Sequence, residues 1–352
     1  LHVLEKMEAS KRLNANEEAL MWHTFGSVYV AQEQYDLATE SLEKCLAAEG
    51  LSEQESLNVR YNLAQLYLMQ ERYEQAIPML LEWFGRAQNP APSAYYALAV
   101  AYVQTGDDEK AFLYAKQAVA KSDAPREGWL QLLLGFYLED KEFEEAAELL
   151  EQLATRFPKK LYWVQLSAVY SALDDSKNAL AVLELAYRQD LLTEEGELVH
   201  LAQLYFYNGI PYEAALVLEK GLGSGVIEGD ADAWELLANS WLYARERGKA
   251  VEPLERAAKM SDKGDLYVRL ASVWMEQEEW SRAAEALRAA LKKGDVTDPG
   301  TTHLMLGIAN ASAQRWEAAN HALTSAQKFE KTEQAAAQWI ARLEHEKWLM
   351  AN

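Results

Sequence analysis

The sequence predicts an all-α fold, a right-handed superhelical solenoid of stacked helical hairpins. Three recurring positions predict it. An alanine returns at Ala38, Ala76, Ala111, Ala146, Ala179, Ala214, Ala250, Ala283 and Ala319, at intervals of 33 to 38 residues. Nine residues earlier stands an aromatic in eight cases of nine: Tyr29, Tyr67, Tyr102, Tyr137, Tyr170, Tyr205, Trp241 and Trp274, with Asn310 the exception. Three residues before that lies a small residue: Gly26, Ala64, Ala99, Ser167, Ala202, Ala238, Ala271 and Gly307. Leu134 breaks this rule, although Gly135 follows it. A small residue on a first helix and an alanine on a second let two backbones approach closely, and the aromatic fills the space beside them. Each hairpin keeps an apolar face that only its neighbour can cover, so the units stack and the ends need special treatment.

The stretch from Pro158 to Gln189, PKKLYWVQLSAVYSALDDSKNALAVLELAYRQ, shows one whole period. Trp163, Leu166, Ser167 and Tyr170 anchor a first helix, a polar turn interrupts it, and Ala179, Leu183 and Ala186 anchor a second. That order, at a spacing near 34 residues, resembles the tetratricopeptide repeat. Nine such repeats lie over residues 16–331, the expected solenoid.

The punctuation agrees from end to end. Turns inside repeats carry Gly106-Asp107-Asp108, Asp174-Asp175-Ser176 and Asn208-Gly209-Ile210-Pro211; junctions between them carry Asn89-Pro90-Ala91-Pro92, Phe157-Pro158, Gly221 to Gly225 and Asp298-Pro299-Gly300. Leu51 to Gln54 lengthen the first junction. Gly221 to Gly229 form the softest one, and it reads as a loop between repeats rather than a hinge. Residues 1–15, with LHVLEKMEASKRL, read as the second helix of a repeat whose first is absent. That remnant, opening at Leu1 without methionine, predicts a chain cut from a longer one, with an upstream signal neither seen nor excluded. Residues 332–352 read as a capping helix, with Trp339 and Leu343 turned inward and Glu344, Glu346 and Lys347 toward water.

Composition narrows the function. A length of 352 residues suggests two or three domains, but a repeat array grows by stacking and overrides that expectation. The net charge of −21 argues against nucleic acid and against an anionic membrane face, and suits a partner with basic or neutral polar segments. No apolar run reaches the ~18 residues that a spanning helix needs. The single cysteine, Cys45, excludes a disulfide framework or a cysteine zinc site and reads as a packed thiol.

Catalytic patterns are missing. His2, His23, His200, His303, His321 and His345 form no pair at i,i+4 spacing and no His-Glu-x-x-His string. No serine stands in Gly-x-Ser-x-Gly. GLGSG at residues 221–225 follows no strand and has no Lys-Ser/Thr partner, so it reads as a junction rather than a phosphate loop. Acidic runs such as Glu276 to Glu279 suit helix starts, and the alternating oxygen ligands of a calcium loop are absent. Trp22, Trp163, Trp234, Trp241, Trp274, Trp280 and Trp316 fall on packing positions. The expectation is a chain that is not an enzyme and needs no cofactor.

A binding surface remains. In stacked hairpins the first helices line a concave groove suited to a peptide or a partner's helix. The groove-facing positions are Gln65, Tyr96, Gln131, Gln165, Gln203, Tyr207, Asn239 and Tyr243. Amides and tyrosines hydrogen-bond an extended backbone while offering apolar area; the alternative for any one of them is a solvated groove residue. Repeats of this class that dock chaperones clamp a terminal carboxylate with Lys, Asn and Arg. Here those positions are mostly neutral or acidic and Arg269 stands isolated, so no such clamp is expected.

The segments PKKLYWVQLSAVY, LAVLELAYRQ, PYEAALVLEKGLGSGVI (Pro211 to Ile227), Trp234 to Trp274 and RYEQAIPMLLEWF (Arg72 to Phe84) carry a narrower likeness. They resemble a family of bacterial tetratricopeptide proteins encoded beside TonB, ExbB and ExbD homologues. That resemblance implies a non-catalytic, periplasmic accessory of a TonB-type energy-transducing complex, with TonB-, ExbB- or ExbD-like partners. The alternatives are a self-associating structural protein and a cytoplasmic regulatory or chaperone-like adaptor.

Overall fold

The computed structural model describes residues 2–10 and 13–351, and among them it contains twenty α-helices and no strand. The chain divides into two compact units, Leu1–Pro158 and Lys159–Asn352. The first holds α1 (His2–Ser10) and four hairpins: α2 (Ala15–Ala31) with α3 (Tyr35–Ala47), α4 (Glu53–Met69) with α5 (Tyr73–Arg86), α6 (Pro92–Thr105) with α7 (Asp108–Ala120), and α8 (Glu127–Glu139) with α9 (Phe143–Arg156). The second holds five: α10 (Lys160–Ala172) with α11 (Ser176–Arg188), α12 (Glu195–Tyr207) with α13 (Pro211–Ser224), α14 (Ala231–Tyr243) with α15 (Arg247–Met260), α16 (Asp265–Glu276) with α17 (Trp280–Lys293), and α18 (Pro299–Ser312) with α19 (Trp316–Ala326). Then α20 (Glu333–Ala351) lays Trp339 and Leu343 against Ala319 and Leu323 of the last hairpin.

All nine periodic alanines are fully buried. The small position on each first helix faces the second helix of its hairpin. The two hairpins with glycine there, α2/α3 and α18/α19, pack most closely, and α8/α9, with Leu134, packs least closely. A Cβ on Gly26 would sit 2.6 Å from Leu42 Cδ2, and one on Gly307 would sit 2.5 Å from Leu323 side-chain carbons. Both distances are well inside contact, so a larger residue at either place would have to push the facing leucine aside. In α10/α11 the small residue is Ser167, whose buried hydroxyl donates to the Ala179 carbonyl at 2.9 Å. Where the aromatic is replaced, Asn310 is buried and its amide donates to the Leu306 carbonyl.

All nine hairpins turn the same way. Five residues before each alanine the backbone enters the left-handed region: Glu33, Glu71, Gly106, Lys141, Asp174, Gly209, Arg245, Glu278 and Gln314, with φ of 57° to 76°. The next N–H then reaches back to the carbonyl of the aromatic position, as Arg72 does to Tyr67 and Glu279 to Trp274, at 2.8 and 2.9 Å. This six-to-one bond closes the helix end and satisfies a carbonyl that the helix leaves open. Only two of the nine positions are glycine, although left-handed geometry costs other residues about 1–2 kcal/mol.

Two local readings change. Tyr162, not Trp163, takes the fully buried place on α10, while Trp163 packs half-buried against the same core. Residues 221–224 are not loop: α13 runs through Ser224, ends on a left-handed Gly225, and Ile227 folds back so that its N–H meets the Gly221 carbonyl. A Cβ on Gly221 would sit 2.4 Å from Ile227, which explains the glycine there as packing. The seven tryptophans read as core are all buried or half-buried.

Candidate binding face

On the second unit, the first helices present two tyrosines to solvent. Tyr207, last residue of α12, is 80% exposed, and Tyr243, last residue of α14, is 72% exposed; among the described residues no large apolar or aromatic side chain is more exposed. Phe206 stands between them, edge-on to both, with ring centroids 6.0 Å from Tyr207 and 5.0 Å from Tyr243. Half-buried against the core that holds Tyr205 and Trp241, Phe206 fixes the pair in place. Beside Tyr207 opens a recess of about 270 Å³ with Ser171, Asp174, Ser176, His200 and Gln203 on its walls. Burial lowers the His200 pKa, so the imidazole is neutral near pH 7.

The eight sequence-chosen residues therefore separate. Gln203, Tyr207 and Tyr243 come together around Phe206. Asn239 faces α16, where its side-chain oxygen accepts from Arg269, which also pairs with Glu235 at 2.7 Å. Gln165 is half-buried on α10 and lies outside the recess wall. On the first unit, Gln65 lines an apolar recess of about 360 Å³ with His23, Val30 and Met69. Tyr96 stacks on Trp129 at 5.5 Å, and Gln131 is exposed on α8. Phe206 and His200 escaped the sequence reading as groove residues. Their signal was positional, since each lies one turn or less from a chosen residue on α12.

The charges of this face are already closed. Among the described residues the first helices carry three cations. Arg60 pairs with Glu82 at 3.3 Å, Lys160 with Glu194 and Glu197 at 2.7 and 2.9 Å, and Arg269 with Glu235. No free guanidinium or ammonium is left there to clamp a carboxylate or phosphate. A larger recess, about 550 Å³, lies instead along the second helices α15 and α17, over Trp274. Its rim alternates Glu255, Lys259, Arg282 and Glu285, and it is the seam between two neighbouring hairpins. No group of three or more His, Cys, Asp or Glu among the described residues could hold a metal ion, and no described helix is long and apolar enough to cross a membrane.

Residues 17–89 and 61–125 match two family models of the tetratricopeptide repeat. No curated protein matches the chain. Similar solved structures include YrrB, described as a TPR protein with an unusual peptide-binding site: 17% identity over 53% of this chain and 95% of that one, TM-score 0.42. A tetratricopeptide repeat protein from Parabacteroides merdae is 14% identical over 72% of this chain and 99% of its own, TM-score 0.37. The C-terminal part of a TPR repeat-containing protein from Cytophaga hutchinsonii is 13% identical over 80% and 99%, TM-score 0.39. Likeness at this level says nothing of what the chain binds.

Proposed function

We propose that this chain, a solenoid of tetratricopeptide repeats, is a non-catalytic scaffold that holds a protein segment against the first-helix face of its second unit. The observation behind the proposal is the Tyr207–Phe206–Tyr243 cluster beside Gln203: large exposed rings fixed by packing, with hydrogen-bonding groups next to them. Rigid tyrosines give contact area at little entropic cost, which is why they recur where proteins meet. A photo-reactive amino acid at position 207, compared with one at Leu185 on α11, tests the face. Adducts to another protein from position 207 alone support it; equal yields from both positions overturn it.

The finer reading makes the scaffold a periplasmic accessory of a TonB-type complex, and its support is the sequence likeness of the segments quoted above. Co-purification of tagged protein from cross-linked cells tests it. Enrichment of TonB-, ExbB- or ExbD-like proteins is the expected result. Recovery of cytosolic proteins only, or of the chain itself only, sinks this finer reading and leaves the scaffold.

A further inference from the structure

We infer that the segment held on this face is proline-rich, extended as a polyproline II helix, and followed by a basic residue that meets Asp174. The inference rests on the binding-face reading and names its ligand. Three observations converge on that chemistry.

First, the most exposed features of the face are its rings, which stand beside a recess of about 270 Å³. Tyr207 and Tyr243 stand out from the surface, with Phe206 within 6.0 Å of one and 5.0 Å of the other. A proline ring lies flat on an exposed aromatic. Polyproline II repeats every three residues, about 9 Å along its axis, so successive proline faces meet two rings spaced across one intervening ring.

Second, the face has hydrogen-bond donors to offer a ligand. Among the described residues the Tyr207 and Tyr243 hydroxyls and the Gln203 amide have no hydrogen-bond partner, whereas the Ser171 and Ser176 hydroxyls already donate to Ser167 and Asn208. A proline residue offers a carbonyl acceptor and no N–H.

Third, the charges select against acid. The cations of the first helices are consumed in ion pairs, while Asp174 on the recess wall has no cation partner among the described residues. With a chain charge of −21, an acidic segment is repelled and a lysine or arginine beside the prolines is matched.

Fluorescein-labelled peptides titrated into the full chain test this: nine prolines ending in two lysines, nine prolines ending in two serines, a Gly-Ser peptide ending in two lysines, and an amphipathic helical peptide. The first is expected to bind best. Tyr207→Ala and Tyr243→Ala should each weaken it about tenfold. Asp174→Asn should lower its affinity to that of the serine-ended peptide without changing the latter. Tyr207→Phe, which keeps the ring, should lose less than Tyr207→Ala, and unchanged melting shows that the variants fold. Preference for the Gly-Ser peptide, or binding of prolines that ignores both tyrosines, overturns the inference. If only the helical peptide binds and the tyrosines control it, the inference falls and the binding face stands. If no peptide binds, the inference falls too, and position-207 cross-linking then decides whether the face itself survives.

Discussion

Ala179→Leu tests the packing rule at the heart of each hairpin. Ala179 is fully buried, and its carbonyl accepts the Ser167 hydroxyl at 2.9 Å across the α10/α11 contact. Leucine adds three carbons with no room for them, and overpacking of this kind costs about 1–3 kcal/mol. Prying the helices apart also strands the buried Ser167 hydroxyl, which adds about 1 kcal/mol. Leucine and alanine differ little in helix propensity, so the intrinsic term nearly cancels. The sum, about 3 kcal/mol, lowers the melting temperature of a unit this size by roughly 6–12 °C. The control is Ala181→Leu, on the same helix two residues along and exposed, expected within about 0.5 kcal/mol of the parent. Thermal unfolding followed by circular dichroism at 222 nm reads both. If the two variants melt together, the close helix contact is not what fixes the alanine, and the register argument fails.

Other expectations follow from the turns, the caps and the core. Lys141→Gly and Glu278→Gly, at φ of 59° in both cases, should each stabilise by about 0.5 kcal/mol, the left-handed penalty less glycine's extra freedom when unfolded; Gly209→Ala should destabilise by about 1 kcal/mol, both read from urea midpoints. Asp298 caps α18, and the Lys331 ammonium and Thr301 N–H hold its carboxyl at about 2, below the usual 3.8. Because the folded pKa is the lower one, its contribution is fully present above about pH 4 and is lost as pH falls toward about 2. Asp298→Asn should therefore flatten the stability profile across that window. Burial pushes the Cys45 thiol up to about 11, so a thiol reagent should label it at pH 7.5 only after unfolding; labelling at the rate of an exposed cysteine would contradict its packing.

Most of the helical plan was legible because close packing leaves a mark on residue size. Alanine at one position and glycine, alanine or serine at another are choices that backbone proximity explains, and Leu134, which breaks the rule, stands in the hairpin with the least extensive contact. The turns were less legible. Glu71, Lys141, Arg245 and Gln314 occupy left-handed positions that a reader assigns to glycine or asparagine, because tertiary packing and a satisfied carbonyl outweigh local preference there. Trp163 misled through size: a small shift in helix rotation gives its buried place to Tyr162. On the proposed face, register suggested that Tyr207 and Tyr243 face outward, but not Phe206, whose place depends on a ring 37 residues away. The closure of Arg269 was equally hidden. Its partner Glu235 lies 34 residues back, one repeat earlier, and only stacking brings the two together.

The loose fourth hairpin also has a consequence for how the first unit comes apart. In an array held by nearest neighbours, local opening starts where the coupling is weakest and moves inward from there. Helices α8 and α9 have the least extensive contact of any hairpin, so amide hydrogens of α9 should exchange with deuterium ahead of those in α3, where Gly26 lets the helices approach. A protease added to the native chain meets the same asymmetry, with its earliest cuts in α9. A leucine where its counterparts are glycine, alanine or serine thus marks the hairpin expected to open ahead of the other three in that unit.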